Sequence, residues 1–145
     1  MKIKIKKLNE NATIPTYGSL YAAGADLYAC IEEDTVIESG QTKLIKTGLA
    51  IELPIGYAAF IYARSGLASK RGLAPANKVG VIDCDYRGEI MVALHNHSQT
   101  EQTVSKGERV AQMVIAPYIT AEFEEADELS DTARGDGGFG STGTK

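Results

Sequence analysis

Residues 80–89 combine the side chains of this sequence that are best suited to chemistry. Two carboxylates, Asp83 and Asp85, and the ring of Tyr86 directly follow Val81–Ile82, a pair that predicts a buried strand entry. A carboxylate can act as a general base, and an aromatic ring can pack against a ligand. The flanking glycines predict a hairpin that presents these groups where the chain reverses. An acidic turn on a solvated edge would have the same composition.

A second group of residues suits an anion. Arg64, Ser65 and Gly66 offer a guanidinium, a hydroxyl and an unhindered backbone amide before residues 66–71, which predict a short helix ended by Gly72. Unpaired N–H groups at a helix start favour phosphate. The plainer alternative is that Ser65 only caps the helix and Arg64 is a surface charge.

One amide side chain interrupts a strand pattern. Gln112 lies within residues 110–115, which are otherwise apolar. A buried amide needs hydrogen-bond partners. Either a backbone carbonyl group or a ligand phosphate would satisfy it.

Composition limits the class of protein. The chain has 145 residues, of which 43% are hydrophobic and 23% charged, with a net charge of −4. This indicates one globular domain and argues against a general binder of nucleic acid or of an anionic membrane. The first residues lack an apolar signal-peptide core, which favours an intracellular, cytoplasmic protein. Cys30 and Cys84 are predicted to be free thiols, with Cys84 filling space.

The elements that would position these groups are strands. Residues 2–6 and 89–94 alternate with period two, and residues 55–62 and 110–115 are apolar on both faces. Turn signals recur between these segments at the spacing of a sandwich or barrel. The sequence therefore predicts an all-β fold with one short helix.

The composition changes near residue 122. Six acidic residues lie between Glu122 and Asp131, and a glycine-rich stretch follows that carries Arg134, Phe139, Ser141 and Thr142. Such tails are usually disordered linkers. This one holds a guanidinium, an aromatic ring and two hydroxyls, so we expect a mobile arm that a ligand orders. The predicted division is a catalytic sandwich over residues 1–121 and an arm over residues 122–145.

Five short motifs in order make the chain resemble the trimeric dUTP diphosphatases. They span nearly the whole sequence, and five in order are far more specific than any one alone. The motifs are Ala23–Leu27, Arg64–Ala68, Gly80–Gly88, Lys106–Gln112 and Arg134–Gly143.

The resemblance implies a reaction and a catalytic residue. Members of the family hydrolyse dUTP to dUMP and pyrophosphate by water attack on the α-phosphorus, which limits uracil incorporation into DNA and supplies dUMP for thymidylate synthesis. Asp83 matches the carboxylate that activates the water. Asp85 is assigned a structural role, pairing with Arg87 or another nearby base, although it could be a second carboxylate of the site.

The resemblance also implies the substrate contacts. Asn77 and the backbone of Val81 and Ile82 match the groups that read uracil, Tyr86 matches the ring against the deoxyribose, and Met91 lines the same pocket. The residues matched to phosphate contacts are Arg64, Ser65, Gly66 and Gln112. Those expected to close over the substrate from the arm, with Phe139 stacking on uracil, are Arg134, Phe139, Gly140, Ser141 and Thr142.

Fold, metal and assembly follow from the same resemblance. It implies a jelly-roll-like β-sandwich and a homotrimer whose active sites are shared between subunits and covered by an arm from another chain. It implies Mg²⁺ held mainly by the triphosphate and waters, with Asp26 in a supporting role near the metal's water shell and no direct protein ligand. Two alternatives are a dCTP deaminase-like enzyme and a nucleotide-sensing module of the same fold.

Overall fold

The computed structural model describes residues 1–138, and these form twelve strands and one helix. The elements in chain order are β1 (Lys4–Lys7), β2 (Thr16–Tyr17), β3 (Ala25–Tyr28), β4 (Thr35–Ile37), β5 (Thr42–Lys46), β6 (Leu49–Glu52), β7 (Tyr57–Tyr62), α1 (Ser65–Arg71), β8 (Leu73–Pro75), β9 (Gly80–Ile82), β10 (Met91–Asn96), β11 (Gln102–Val104) and β12 (Arg109–Pro117). The four segments predicted as strands and the predicted short helix are all confirmed.

The strands pair into antiparallel sheets. The largest sheet has the order β2-β3-β12-β7-β9, a second has the order β5-β10-β8, and two small sheets pair β1 with β6 and β11 with β4. Strands adjacent in space are mostly distant in sequence, as in a jelly roll. The all-β, jelly-roll-like fold is therefore confirmed.

The core lies between the sheets and follows the period of the strands. In β10 the side chains of Val92, Leu94 and Asn96 are fully buried, whereas those between them are partly exposed. Apolar residues from the facing strands, such as Leu27 and Ile45, are also fully buried. Each such side chain contributes roughly 1.5–3 kcal/mol through burial of apolar surface.

The helix differs from the prediction at its start. Arg64, not Ser65, is the N-cap residue, and it makes no side-chain capping bond. Ser65 is the first helical residue and is exposed, so its hydroxyl does not cap the helix. The end is as predicted, because Gly72 has a φ of 66° and closes the helix in the left-handed conformation.

The prediction of a hairpin at residues 80–89 is wrong. β9 pairs with β7, and β10 pairs with β5 and β8, so residues 83–90 cross from one sheet to another. The strand entry is not buried either, because Val81 is 57% exposed at the edge of the large sheet. Periodicity cannot reveal this, since pairing partners are set by tertiary structure.

The last strand ends at Pro117, and residues 118–138 contain no further strand or helix. Three large apolar side chains of this segment, Ile119, Phe123 and Leu129, are about nine-tenths exposed, at 93%, 95% and 89%. Within residues 1–138, no helix has the length and apolar character that a bilayer span requires. The division into a sandwich and a closing arm stays a prediction.

Candidate active site

Six of the predicted site residues line one cleft, which we call the Asp83 cleft. Its volume is about 320 Å³, and it opens beside the edge strand β9. The predicted residues in its wall are Asn77, Val81, Ile82, Asp83, Tyr86 and Met91. Asp83 is exposed and is the first residue after β9 ends. The structure thus brings the candidate general base together with the residues that are predicted to contact uracil and the deoxyribose.

Gly88 and Glu89 set the position of Tyr86 in this cleft. Its hydroxyl donates a hydrogen bond of 3.0 Å to the carbonyl oxygen of Glu89. Its ring lies so close to Gly88 that a Cβ atom there would collide with it. A glycine at this position is therefore needed for the ring to reach the cleft.

Asn77 is exposed in the loop between β8 and β9, and its position depends on a strained neighbour. Lys78 has a φ of 64°, a conformation that residues with a Cβ atom rarely adopt. Its backbone N–H donates to Pro75, and the N–H of Val79 donates to Asn77. These bonds make a tight loop that presents the Asn77 side chain at the cleft.

A second cleft, which we call the Arg64 cleft, has a volume of about 400 Å³. The predicted residues in its wall are Asp26, Arg64, Ser65, Gly66 and Gln112. Ser65 and Gly66 are exposed in the first turn of α1, where backbone N–H groups lack helical partners. The arrangement suits an anion.

A buried carboxylate holds the arginines of the Arg64 cleft in place. The Asp26 side chain, 12% exposed, accepts a bond of 2.8 Å from Arg64 Nε through Oδ1 and one of 3.2 Å from Arg109 Nη1 through Oδ2. Both of its oxygens are thus paired with guanidinium groups. Burial of such a pair is costly unless its members are well bonded, as they are here.

Gln112 has the backbone partner that one of the two predicted alternatives required. Its Nε2 donates a bond of 2.9 Å to the carbonyl oxygen of Ala63. Its Oε1 lies against Gly24, where a Cβ atom would collide with it. The glycine therefore lets β12 and the start of β3 approach closely, and the side chain still faces the cleft.

Sequence reasoning missed two cations of the Arg64 cleft. Arg109 and Lys70 line it together with Arg64, so three cationic side chains accompany one carboxylate. Arg109 lies within the fourth motif but received no role. Lys70 follows Gly66 by four residues on a helix, a spacing that places both on one face, and this signal was available from the sequence.

The expected pairing of Asp85 with Arg87 needs correction, and part of the predicted arm lies outside the described residues. Arg87 forms no ion pair with Asp85 among residues 1–138; its guanidinium donates to backbone carbonyl groups instead. Arg134 lies in a turn of the C-terminal segment, bonded to Gly137, and lines neither cleft. The predicted arm residues outside the described part of the chain are Phe139, Gly140, Ser141 and Thr142.

Cys84 is a half-buried thiol that packs against the core, as predicted. Its sulfur lies 3.6 Å from the hydroxyl oxygen of Tyr118. This hydrogen bond and the nearby thiol raise the pKa of Tyr118. The contact ties the loop after Asp83 to the end of β12.

The two clefts have complementary chemistry. Among residues 1–138, the Asp83 cleft has carboxylates and apolar side chains but no cationic side chain, whereas the Arg64 cleft is cationic. No residue of this described part lines both clefts. An all-β fold with these features is typical of an enzyme that acts on a small phosphorylated molecule.

Comparison with known proteins identifies the family. The profile of the dUTPase family matches residues 10–143, nearly the whole chain. The deoxyuridine 5'-triphosphate nucleotidohydrolase of Nautilia profundicola is 56% identical over 99% of both chains. The protein of the same name from a Hydrogenobaculum species is 53% identical over the full length of both. The chain therefore belongs to the dUTPase family.

Solved structures agree in fold. A point mutant of the Staphylococcus bacteriophage 80alpha dUTPase with dUpNHpp superposes with a TM-score of 0.89, at 29% identity and over 98% of both chains. A mutant dUTPase from phage phi11 of S. aureus, described for its structural Mg(II) ion, superposes with a TM-score of 0.81 at 25% identity, covering 90% of this chain and 100% of that chain.

Proposed function

We propose that Asp83 is the general base of this dUTP diphosphatase, which hydrolyses dUTP to dUMP and pyrophosphate. The observation that carries this proposal is the joint presence of Asp83, Asn77 and Tyr86 in one cleft of a chain that belongs to the dUTPase family. Asp83 takes the proton of a water that attacks the α-phosphorus, and the bond from that phosphorus to the bridging oxygen breaks as pyrophosphate leaves. Uracil contacts Asn77 and the backbone of β9.

The triphosphate contacts are assigned to the Arg64 cleft. Arg64, Ser65 and Gly66 supply donors for its oxygens, and the proposed role extends to the two cations that sequence reasoning missed, Arg109 and Lys70. Asp26 holds two of these guanidinium groups in position. Arg134 and the arm residues beyond 138 keep their predicted role in closure.

Mg²⁺ fits this arrangement as an ion carried by the substrate. Among residues 1–138, no three histidine, cysteine or carboxylate side chains come together as a ligand set, and both Asp26 oxygens already face arginines. A hard, hydrated ion held by phosphate oxygens and waters needs no protein cage. Bound there, it would neutralise charge on the departing pyrophosphate. The supporting role of Asp26 near its waters stays a prediction, as does the intracellular location.

We also propose a homotrimer with shared active sites. A triphosphate beside the carboxylates of the Asp83 cleft needs cations, and the described part of the chain places none in that cleft. The cationic cleft of a neighbouring subunit would supply them. The exposed Ile119, Phe123 and Leu129 also suit burial against another chain. Mixed oligomers of two inactive variants test this, because only a shared site can regain activity.

The decisive experiment compares two carboxylates of the same loop. Asp83→Asn should lower kcat for pyrophosphate release from dUTP by about 10²- to 10⁴-fold, because it removes the base without changing side-chain size. Asp85→Asn is the matched control and should retain activity near that of the wild type. The assay includes dCTP, dTTP and UTP at equal concentration with magnesium.

Other outcomes would identify the alternatives. Equal loss in both variants would contradict a single base at Asp83. Ammonia release from dCTP would indicate a deaminase, and binding of dUTP without turnover would indicate a sensing module.

A further inference from the structure

The part of the loop that carries Asp83 and Tyr86 is exposed, although Cys84 packs against the core and Ile90 is fully buried. Residues 83–88 lie outside the strands and pair with no neighbouring strand, whereas Glu89 and Ile90 are hydrogen-bonded to residues 47–49. Asp83 is exposed, and Tyr86 is 41% exposed. Groups that must be placed to within a fraction of an ångström need another source of order.

Arg87 supplies such order through its side chain. Its Nη1 donates to the carbonyl oxygen of Cys84 at 2.7 Å and to that of Tyr86 at 3.1 Å. The backbone N–H of Tyr86 in turn donates to the carbonyl oxygen of Asp83 at 3.2 Å. The guanidinium thus closes the turn that separates the candidate base from the candidate sugar contact. Bonds from a charged donor are stronger than neutral ones.

We propose that Arg87 is a positioning residue that fixes the Asp83–Tyr86 turn and thereby sets the preference for deoxyribonucleotides over ribonucleotides. The inference rests on the proposed function and on the expected contact of the Tyr86 ring with the deoxyribose, which would leave no room for a ribose 2′-hydroxyl. If the carbonyl bonds are lost, the turn widens and the ring no longer blocks the extra oxygen. Loss of the Arg87 side chain should then lower the dUTP-to-UTP selectivity and change the stability of the fold little.

A different role for Arg87 has to be separated from this one. Arg87 lies near Glu52 of β6, whose pKa is lowered mainly by its hydrogen bond to Lys4 and also by the charge of Arg87. The arginine could therefore serve the charge balance of the β1–β6 sheet. Glu52→Gln removes that partner and leaves the turn intact.

The experiment measures kcat/KM for dUTP and for UTP in two variants. Arg87→Met keeps much of the side-chain length but has no donor. It should reduce the dUTP-to-UTP selectivity at least about tenfold, because a factor of ten corresponds to about one hydrogen bond of ordinary strength and two are lost. Arg87→Lys keeps a charged donor and should retain more of the selectivity than Arg87→Met.

Two controls address stability and charge. Arg71→Lys weakens the bonds that tie α1 to Gln102, Glu108 and the Thr103 carbonyl, and should lower the melting temperature with selectivity unchanged. Glu52→Gln should alter neither. Unchanged selectivity in Arg87→Met, or an equal loss in Glu52→Gln, would overturn the proposal.

Binding measurements separate this inference from the proposed reaction. Calorimetry with dUpNHpp and with its ribose counterpart reports selectivity without turnover. A wild type that prefers the deoxy compound but does not hydrolyse dUTP would contradict the proposed reaction alone. A wild type that binds neither compound would contradict both.

Discussion

At the scale of single residues, Gly88 and Tyr86 form one unit. The Tyr86 ring lies over Gly88 because that position has no Cβ atom, and its hydroxyl reaches the Glu89 carbonyl oxygen. A methyl group at residue 88 would overlap the ring, so one of the two must move. Since the ring is partly exposed, it has room to swing out of the cleft.

Gly88→Ala should therefore relax sugar selectivity. We expect the ratio of kcat/KM for dUTP over UTP to fall about tenfold or more, with only a modest change in melting temperature. Tyr86→Phe keeps the ring against Gly88 and loses only the bond to the Glu89 carbonyl oxygen, so it separates the effect of that bond from the effect of the contact with residue 88. A variant with full selectivity would show that the ring position does not govern the choice of sugar.

Single residues also mark the limit of sequence reasoning about the site. The motif residues Asp83, Tyr86 and Arg64 were predicted and lie in the two clefts. The pairing of Asp26 with Arg64 and Arg109 was not predicted, because it joins residues 38 and 83 positions apart through the register of β3 on β12. Local patterns carry no information on such distant pairs.

At the scale of elements, the buried Asn96 joins the end of β10 to its neighbours. It is fully buried, and its Nδ2 donates to the carbonyl oxygens of Ile37 at 2.8 Å and Thr100 at 2.7 Å. Its Oδ1 accepts from the backbone N–H and the hydroxyl of Ser98. This network fixes the loop after β10 to the end of β4.

Asn96→Asp should destabilise the protein by about 3 kcal/mol, because a carboxylate oxygen would then face two carbonyl oxygens in the interior. Urea unfolding at one fixed protein concentration measures the change. Asn11→Asp makes the same substitution at an exposed residue and should change stability by less than about 0.5 kcal/mol. Equal effects at both positions would contradict the importance of the network.

Elements were predicted better than their connections. The apolar runs over residues 55–62 and 110–115 and the stop at Gly72 are local signals, and the structure has strands and a helix end there. The hairpin at residues 80–89 failed because β9 pairs with β7, a strand some twenty residues earlier. The exposure of Val81 follows from the same pairing.

At the scale of the whole molecule, the proposed trimer makes each of the two clefts of a chain one half of an active site. The Asp83 cleft holds the candidate base and the Arg64 cleft holds the cations, and none of the residues that the structure describes lines both. In a shared-site trimer, a complete site takes its base from one subunit and its cations from another. In such a trimer, a substitution in the Asp83 cleft of one chain inactivates one active site. A substitution in the Arg64 cleft of the same chain inactivates a different active site.

Mixing Asp83→Asn subunits with Arg64→Gln subunits should therefore restore activity. With random mixing at equal amounts, about a quarter of the sites receive both intact halves, so activity should approach about a quarter of the wild-type value. Co-expression with two different affinity tags and pyrophosphate release from dUTP measure it. Mixtures of Asp83→Asn with Asn77→Ala, two defects of one cleft, are the control and should not recover. Failure of the first mixture to recover, with mixed oligomers present, would mean that each site draws both halves from one chain.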